Sequence, residues 1–166
     1  MVPHLTTALT GPILELERKF LESSTQIEHW LRGQWQEYSP PFYSSCDLRN
    51  SGFKLAPVDT NLFPGGFNNL NSAFLPLCVQ AAMVAIEKIC PDARNLLLIP
   101  ENHTRNQFYL QNVAQLVAIL RQTGLNIRLG SMLPEITKPT PIELPNGQSL
   151  LLEPLAAARH IPLGSR

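Results

Sequence analysis

The sequence has few charged residues and no excess of either sign. Charged side chains make up 16% of the 166 residues, and 13 Lys and Arg balance 13 Asp and Glu. A typical chain has about 25%. No stretch collects Lys or Arg into a patch, although proteins that bind nucleic acids or anionic membranes generally carry one. The composition therefore argues against both classes of partner and favours a small polar ligand that is neutral or zwitterionic.

The chain also lacks the usual signals for secretion, membrane insertion and disulfide formation. No apolar run approaches the roughly 18 residues of a membrane span, and the first residues do not follow the pattern of a signal peptide. Cys46, Cys78 and Cys90 are odd in number and show no Cys-x-x-Cys spacing. We therefore expect reduced thiols and a cytoplasmic location, with neither a disulfide framework nor a zinc knuckle.

Common nucleotide-binding and catalytic motifs are missing as well. The sequence contains no G-x-G-x-x-G, no G-x-x-x-x-G-K-[ST] and no G-x-S-x-G. The absence of these motifs excludes the simplest dinucleotide-binding, Walker-type and serine hydrolase sites. Glu101 and His103 could bind a metal or exchange a proton, but no second His or Cys pair supports zinc. The sequence therefore predicts no metal site and identifies no catalytic residue.

The spacing of apolar residues predicts alternating helices and strands. A helix is expected from Pro12 to just before Pro40, followed by strands over residues 42–48 and 53–59. A helix from Asn71 or Ser72, with an apolar face of Leu75, Val79, Ala82, Ile86 and Ile89, leads to an apolar strand at 95–100. A further helix, from Arg105 or Asn106 to Gly124, leads to a strand at 125–130.

This order predicts an open α/β sheet of the Rossmann-like type. Residues 95–130 read as a βαβ unit, whose strands are parallel and whose crossover is right-handed. The helix that enters the strand at 95 suggests a second such unit upstream. Residues 134–155 carry five prolines and an Asn146-Gly147 pair, which predicts an antiparallel hairpin with a two-residue type I′ turn at a sheet edge. We expect a helical segment at 1–41, an α/β substrate-side domain at 42–133, and a Pro-rich hairpin and tail at 134–166.

Two polar stretches are positioned to bind a ligand. Open α/β sheets bind ligands at the carboxyl ends of their strands, and VDTNLFPGGFNNLN (58–71) and ENHTRN (101–106) each follow a predicted strand and precede a helix. An Asp could hold an ammonium group, Arg and Lys a carboxylate, and Asn side chains could fix orientation. Alternatively, the same amides cap helices and form turns. The candidate substrate-binding residues are Arg49, Lys54, Asp59, Asn61, Asn68, Asn69, Glu101, His103 and Arg105.

Two long motifs carry a resemblance to a known family. DLRNSGFKLAPVDTNLFPGGFNNL (47–70) and LLIPENHTRN (97–106) resemble the amino-terminal part of proteobacterial glutamate–cysteine ligases of the Thiobacillus ferrooxidans type, and the likeness runs from residue 1 to about 155. It implies ATP- and Mg²⁺-dependent joining of the glutamate γ-carboxylate to cysteine, in glutathione biosynthesis. It also implies an ATP-grasp-type ligase whose first domain is a preATP-grasp-like α/β unit.

The resemblance further implies that this chain is an incomplete ligase. The segments that bind ATP and Mg²⁺ are expected beyond Arg166, and glutamate and cysteine are the expected small-molecule partners. The alternative hypothesis is that the chain is a non-catalytic, truncated α/β fragment or a partner-binding module without ligase activity of its own. The residues alone leave both hypotheses open.

Overall fold

The computed structural model describes residues 12–51, 54–101 and 106–155 of the chain. It divides into two compact units, Met1–Gly65 and Gly66–Arg166. The first unit contains two helices and two strands, which are α1 (Pro12–Glu22), α2 (Ser24–Glu37), β1 (Ser45–Asn50) and β2 (Leu55–Asn61).

The predicted first helix is in fact two helices. It begins at Pro12 and ends before Pro40, as expected, but it breaks at Ser23, where the backbone has φ −97° and ψ 5°. The backbone hydrogen bonds continue through this point, since the N–H of Ser23 donates to the carbonyl of Lys19 at 3.0 Å and the N–H of Ile27 donates to the carbonyl of Ser23 at 2.9 Å. The prediction of one continuous helix is wrong at this point.

β1 and β2 form an antiparallel hairpin that contains a bulge. Asp47 pairs with Asp59 and Leu48 with Pro57, which leaves Val58 unpaired. Proline cannot donate to the ladder, so the irregularity lies where a donor is missing. Both predicted strands are confirmed, although each is shifted by two or three residues towards the carboxyl terminus.

The predicted upstream βαβ unit is not formed. Among the residues that the structure describes, β1 and β2 are hydrogen-bonded only to each other. Most residues of β2 are exposed, and Pro57 interrupts it. A strand inside a parallel sheet is instead covered on both faces and reads as a continuous apolar run.

The second unit contains the α/β sheet. Its helices and strands are the short 3₁₀ helices Phe67–Asn69 and Ser72–Phe74, α3 (Leu75–Ile89), β3 (Asn95–Leu98), α4 (Gln107–Arg121), β4 (Asn126–Ser131), β5 (Thr140–Glu143) and β6 (Ser149–Pro154). The strand order is β3-β4-β6-β5. β3 and β4 are parallel, which confirms the βαβ unit, and β5 pairs antiparallel with β6 at the sheet edge, as predicted. The parallel pairing of β4 with β6 was not foreseen.

The turn between β5 and β6 differs from the predicted type. Gly147 is left-handed at φ 79°, but no other residue type has a positive φ in the described part of the chain, so Asn146 does not adopt the type I′ conformation. The N–H of Leu144 donates to the carbonyl of Gln148 at 2.8 Å, and the N–H of Gly147 donates back to Leu144 at 2.9 Å. These contacts match a three-residue loop that ends in a left-handed glycine. Asn146 Oδ1 accepts from the N–H of Gln148 at 3.1 Å, which stabilises the turn locally.

The core lies between α4 and one face of the sheet. Leu110 on α4 and Leu152 on β6 are fully buried. Exposed and buried residues alternate over the first four residues of β4 and of β6, so the buried ones share the face that meets the helix. The other face is open, and Leu97 and Leu151 are each 51% exposed there. The buried apolar residues are Tyr109, Leu110, Val113, Ala114, Leu116, Val117, Ile119, Leu120, Ile127, Leu129, Leu144, Leu150 and Leu152.

Candidate functional site

One face of the β1–β2 hairpin is polar. The register places Ser45 opposite Asn61 and Asp47 opposite Asp59. Because alternate residues of a strand share a face, Arg49 lies on the same face as Asp47 and Ser45. Asp47 and Asp59 are both exposed, so this face carries two carboxylates as well as the Arg49 guanidinium.

Because Gly65 has no side chain, the loop after β2 can pack closely against Ser45 and Phe63. A side-chain carbon at Gly65 would lie 2.9 Å from Ser45 Oγ and 3.0 Å from the ring of Phe63, so only glycine fits without displacing them. Within the described residues, the buried Ser45 Oγ has no hydrogen-bond partner. Buried hydroxyls are normally paired, and this one lies at the end of the polar hairpin face, beside Asn61.

The amides of this loop divide into structural and exposed groups. Asn71 Oδ1 accepts from the N–H of Ala73 at 3.0 Å and so caps the 3₁₀ helix that precedes α3. Asn61 Nδ2 lies 3.5 Å from Asp59 Oδ2. The side chains of Asn68 and Asn69 are exposed in the second unit. The self-capping interpretation therefore holds for Asn71, whereas Asn68 and Asn69 remain accessible to a ligand.

Asn112 on α4 holds the second half of the loop in place. Its Oδ1 accepts from the N–H of Asn68 at 3.0 Å, and its Nδ2 donates to the carbonyl of Phe108 at 3.0 Å. Asn112 was not among the residues predicted from the sequence. Asparagine has a low helix propensity, so its presence in the second turn of α4 was the signal that could have revealed it.

The start of α4 positions Glu101. Asn106 Oδ1 accepts from the N–H groups of Phe108 and Tyr109, at 3.1 and 3.2 Å, which confirms the predicted helix start. The Tyr109 hydroxyl accepts from the N–H of Glu101 at 2.8 Å, so the first turn of α4 fixes the backbone where β3 leads into the loop. Glu101 is exposed. His103 and Arg105, both predicted site residues, lie outside the described residues.

The candidate residues fall in both units. Arg49 and Asp59 are exposed and share the hairpin face with the half-buried Asn61, and the exposed Lys54 directly precedes β2. Asn68, Asn69 and Glu101 belong to the second unit. In the described parts of the chain, no group of three or more His, Cys, Asp or Glu side chains could hold a metal ion.

A charged pair crosses the open face of the sheet. Arg128 on β4 donates from Nε to Glu153 Oε2 on β6 at 2.9 Å, and its Nη2 contacts the same oxygen. This hydrogen bond holds the pKa of the Glu153 carboxyl below its usual range and raises the pKa of the Arg128 guanidinium. Neither residue was a sequence candidate, and the pair joins neighbouring parallel strands.

Comparison with known proteins identifies the family. The family model described as glutamate–cysteine ligase matches residues 17–162, which include both long motifs. The chain belongs to the glutamate–cysteine ligase family. No curated protein sequence matches the chain.

A solved structure supports the same family assignment. A protein from Methylobacillus flagellatus KT, whose name assigns it provisionally as a gamma-glutamylcysteine synthetase, is 70% identical with a TM-score of 0.78. The match covers 96% of this chain but 38% of that protein. This member of the ligase family therefore spans well under half the length of the solved relative.

Proposed function

We propose that this chain is the amino-terminal, substrate-side part of a glutamate–cysteine ligase, which joins the glutamate γ-carboxylate to cysteine at the expense of ATP in glutathione biosynthesis. The observation that carries the proposal is the family match over residues 17–162. The relative at 70% identity bears the name of the same activity. We further propose that the sheet of the second unit is the preATP-grasp-like domain of an ATP-grasp ligase, and that the protein is cytoplasmic.

The hairpin face supplies groups suited to an amino acid. In this proposal, Asp59 binds the substrate ammonium, and the facing Asp47 adds to the negative potential there. Arg49 and Lys54 bind a carboxylate, for which the planar guanidinium of Arg is the better match. Asn61 orients the substrate through neutral hydrogen bonds, since it already lies beside the Asp59 carboxylate.

The second unit carries proposed substrate-binding residues of its own. Asn68 and Asn69 offer exposed amides on a backbone held by Asn112. Glu101 sits just after β3, at the carboxyl end of a parallel strand, where open sheets bind ligands. By the same positional argument His103 and Arg105, in the same loop, complete the proposed set of substrate-binding residues.

The described residues do not fit a site for ATP or Mg²⁺. They contain no acidic or histidine cluster suited to a metal, and the sequence has no phosphate-binding glycine loop. Phosphoryl transfer depends on metal and cationic groups that hold the phosphates. We therefore assign ATP and Mg²⁺ to the part of the ligase that this chain does not match, and assign to this chain the binding and orientation of the amino acids.

NMR titration of the purified 166-residue chain with glutamate and with cysteine tests the proposed site. Removing the charge from one partner of a charge-assisted hydrogen bond should weaken binding about tenfold. The Asp59→Asn substitution should therefore raise the dissociation constant of at least one amino acid about tenfold. Asp92→Asn is the matched control, because Asp92 is an exposed carboxylate of the second unit. Equal affinities for the Asp59→Asn variant and the unmodified chain would contradict the site.

A second candidate function is a partner-binding module without ligase activity. The observation that favours it is the exposure of α3, whose Leu77 and Val84 are 59% and 66% exposed. Apolar surface of this kind marks interaction sites. The two candidates differ in whether any assembly that contains the chain forms γ-glutamylcysteine.

A further inference from the structure

α3 is apolar on two opposite faces. Its inner residues are half-buried, and they recur at the helical spacing that sequence analysis predicted, as Leu75, Val79, Ala82 and Ile86. Ile89, which the same prediction placed on that face, is 72% exposed. The predicted apolar face of α3 is therefore confirmed except at Ile89, and the apolar face on the opposite side of the helix was not predicted.

The outer stripe of α3 comprises Leu77, Ala81 and Val84 together with Phe74, which directly precedes the helix. The intervals of three and four residues place these side chains on one side of the helix. Phe74 is 56% exposed, Leu77 59% and Val84 66%. Lys88 continues the stripe one turn beyond Val84 and is also exposed. A helix that is apolar all round is normally buried in a larger protein or in a membrane.

The membrane explanation fits α3 poorly. Residues 72–89 have a mean hydropathy of 1.5 and are only 6% buried, and by length and composition alone they could cross a membrane. The α-helical part has 15 residues, so it is about 22 Å long, whereas the hydrocarbon core is about 30 Å thick. The inner face of α3 also packs against α4. The outer stripe therefore suits contact with protein.

One face of the sheet is a second exposed apolar surface in the same unit. Sheets built from parallel strands generally have both faces covered, yet Leu97 on β3 and Leu151 on β6 are each 51% exposed on the open face. The solved relative is 70% identical, but only 38% of it corresponds to this chain. A large body of ligase polypeptide is thus available to cover such surfaces.

We propose that the outer stripe of α3 is the docking surface for the part of the ligase polypeptide that this chain does not match. The complementary surface should be aliphatic, with a carboxylate near Lys88. The inference deepens the proposed function, because it assigns the partner on which a complete ligase depends. It concerns assembly, so it can succeed or fail independently of substrate binding by the hairpin.

Co-expression tests the docking surface. The tagged 166-residue chain is produced in one cell with the segment of the Methylobacillus flagellatus protein that lies outside the matched 38%, so that neither polypeptide has to fold alone. The two should co-purify. Val84→Glu should reduce the recovered segment by about tenfold, because it buries an unpaired charge at the contact. The neutral Ala81→Gln should reduce it to a smaller extent.

Leu21→Glu is the matched control. Leu21 is 70% exposed on α1 and its substitution adds the same charge to a helix, so recovery should not change. Circular dichroism of each variant alone checks that it folds. The proposal is overturned if the unmodified chain does not retain the segment, or if Val84→Glu leaves retention intact. It is also overturned if Val84→Glu instead converts a dimer of the chain to a monomer, or abolishes sedimentation with phosphatidylcholine–phosphatidylglycerol vesicles. Because co-purification requires no catalysis, a failed ligase assay does not affect the result.

Discussion

Asparagine has two uses in this chain, and its position along the sequence separates them. Asn71 and Asn106 each directly precede a helix and accept hydrogen bonds from its first N–H groups, which is the ordinary role of a cap. Both helix starts could be predicted, because capping involves only neighbouring residues. The contact of Asn112 with Asn68 joins residues 44 positions apart, so no local pattern could reveal it.

Glycine supplies a test at the residue scale. Gly124 follows α4 with φ 86° and Gly33 lies inside α2, and a side-chain carbon at either position meets nothing within 4 Å. Gly124→Ala should therefore destabilise the chain by about 1 kcal/mol through backbone strain alone. Gly33→Ala should stabilise it by about 0.5–1 kcal/mol, because glycine is a poor helix former. Guanidinium unfolding followed by circular dichroism measures both, and changes of the same sign would contradict the argument.

At the scale of elements, local signals predicted which segments form but not always how they pair. The β3–α4–β4 unit and the β5–β6 hairpin were predicted, because each joins segments that are close in sequence. The two-stranded pairing of β1 with β2, apart from the other strands that the structure describes, was not predicted. It depends on which packing partners are available, which periodicity does not measure.

The Arg128–Glu153 pair between β4 and β6 should make stability depend on pH. The folded pKa of Glu153 is lowered by the Arg128 hydrogen bond, so the pair stabilises the fold above the unfolded pKa, and this is lost as pH falls through the folded value. The unfolding midpoint of the unmodified chain should exceed that of Glu153→Gln at pH 7, and the difference should shrink below about pH 4.5. Thermal unfolding from pH 7 to 3 measures it.

A second substitution isolates the pair. Arg128→Gln, made in the Glu153→Gln background, should cause no further pH-dependent change, since the carboxylate that responds is already absent. Arg128 is 62% exposed and Glu153 23%, so added salt should also diminish the difference between the unmodified chain and Glu153→Gln at pH 7. A difference that stays constant from pH 7 to 3 would exclude this carboxylate as the cause.

At the scale of the whole chain, large apolar side chains of the described residues are exposed on the outer stripe of α3 and on one face of the sheet. The sequence also lacks a phosphate-binding glycine loop. This exposure supports the proposal that the chain is one part of a larger ligase, together with the match to 38% of the solved relative.

The purified chain should therefore form no γ-glutamylcysteine when it is supplied with ATP, MgCl₂, glutamate and cysteine. The co-expressed complex with the unmatched ligase segment should form it, because that segment is where we assign the ATP and Mg²⁺ sites. Mass spectrometry of the dipeptide measures both reactions, and omission of ATP is the control. Product from the chain alone would contradict our assignment of the ATP and Mg²⁺ sites to the unmatched segment. An inactive complex would favour the non-catalytic partner-binding module.

The family, the helix caps, the βαβ unit and the edge hairpin could all be predicted from the order of the residues. Each depends on motifs or on interactions between residues near one another in the chain. Tertiary structure alone decided that β6 lies parallel beside β4, that β2 pairs only with β1 among the described strands, and that the outer stripe of α3 is left uncovered. These features depend on which distant surfaces bury one another. An apolar residue in a sequence shows that burial is favourable, but it does not show which partner provides it.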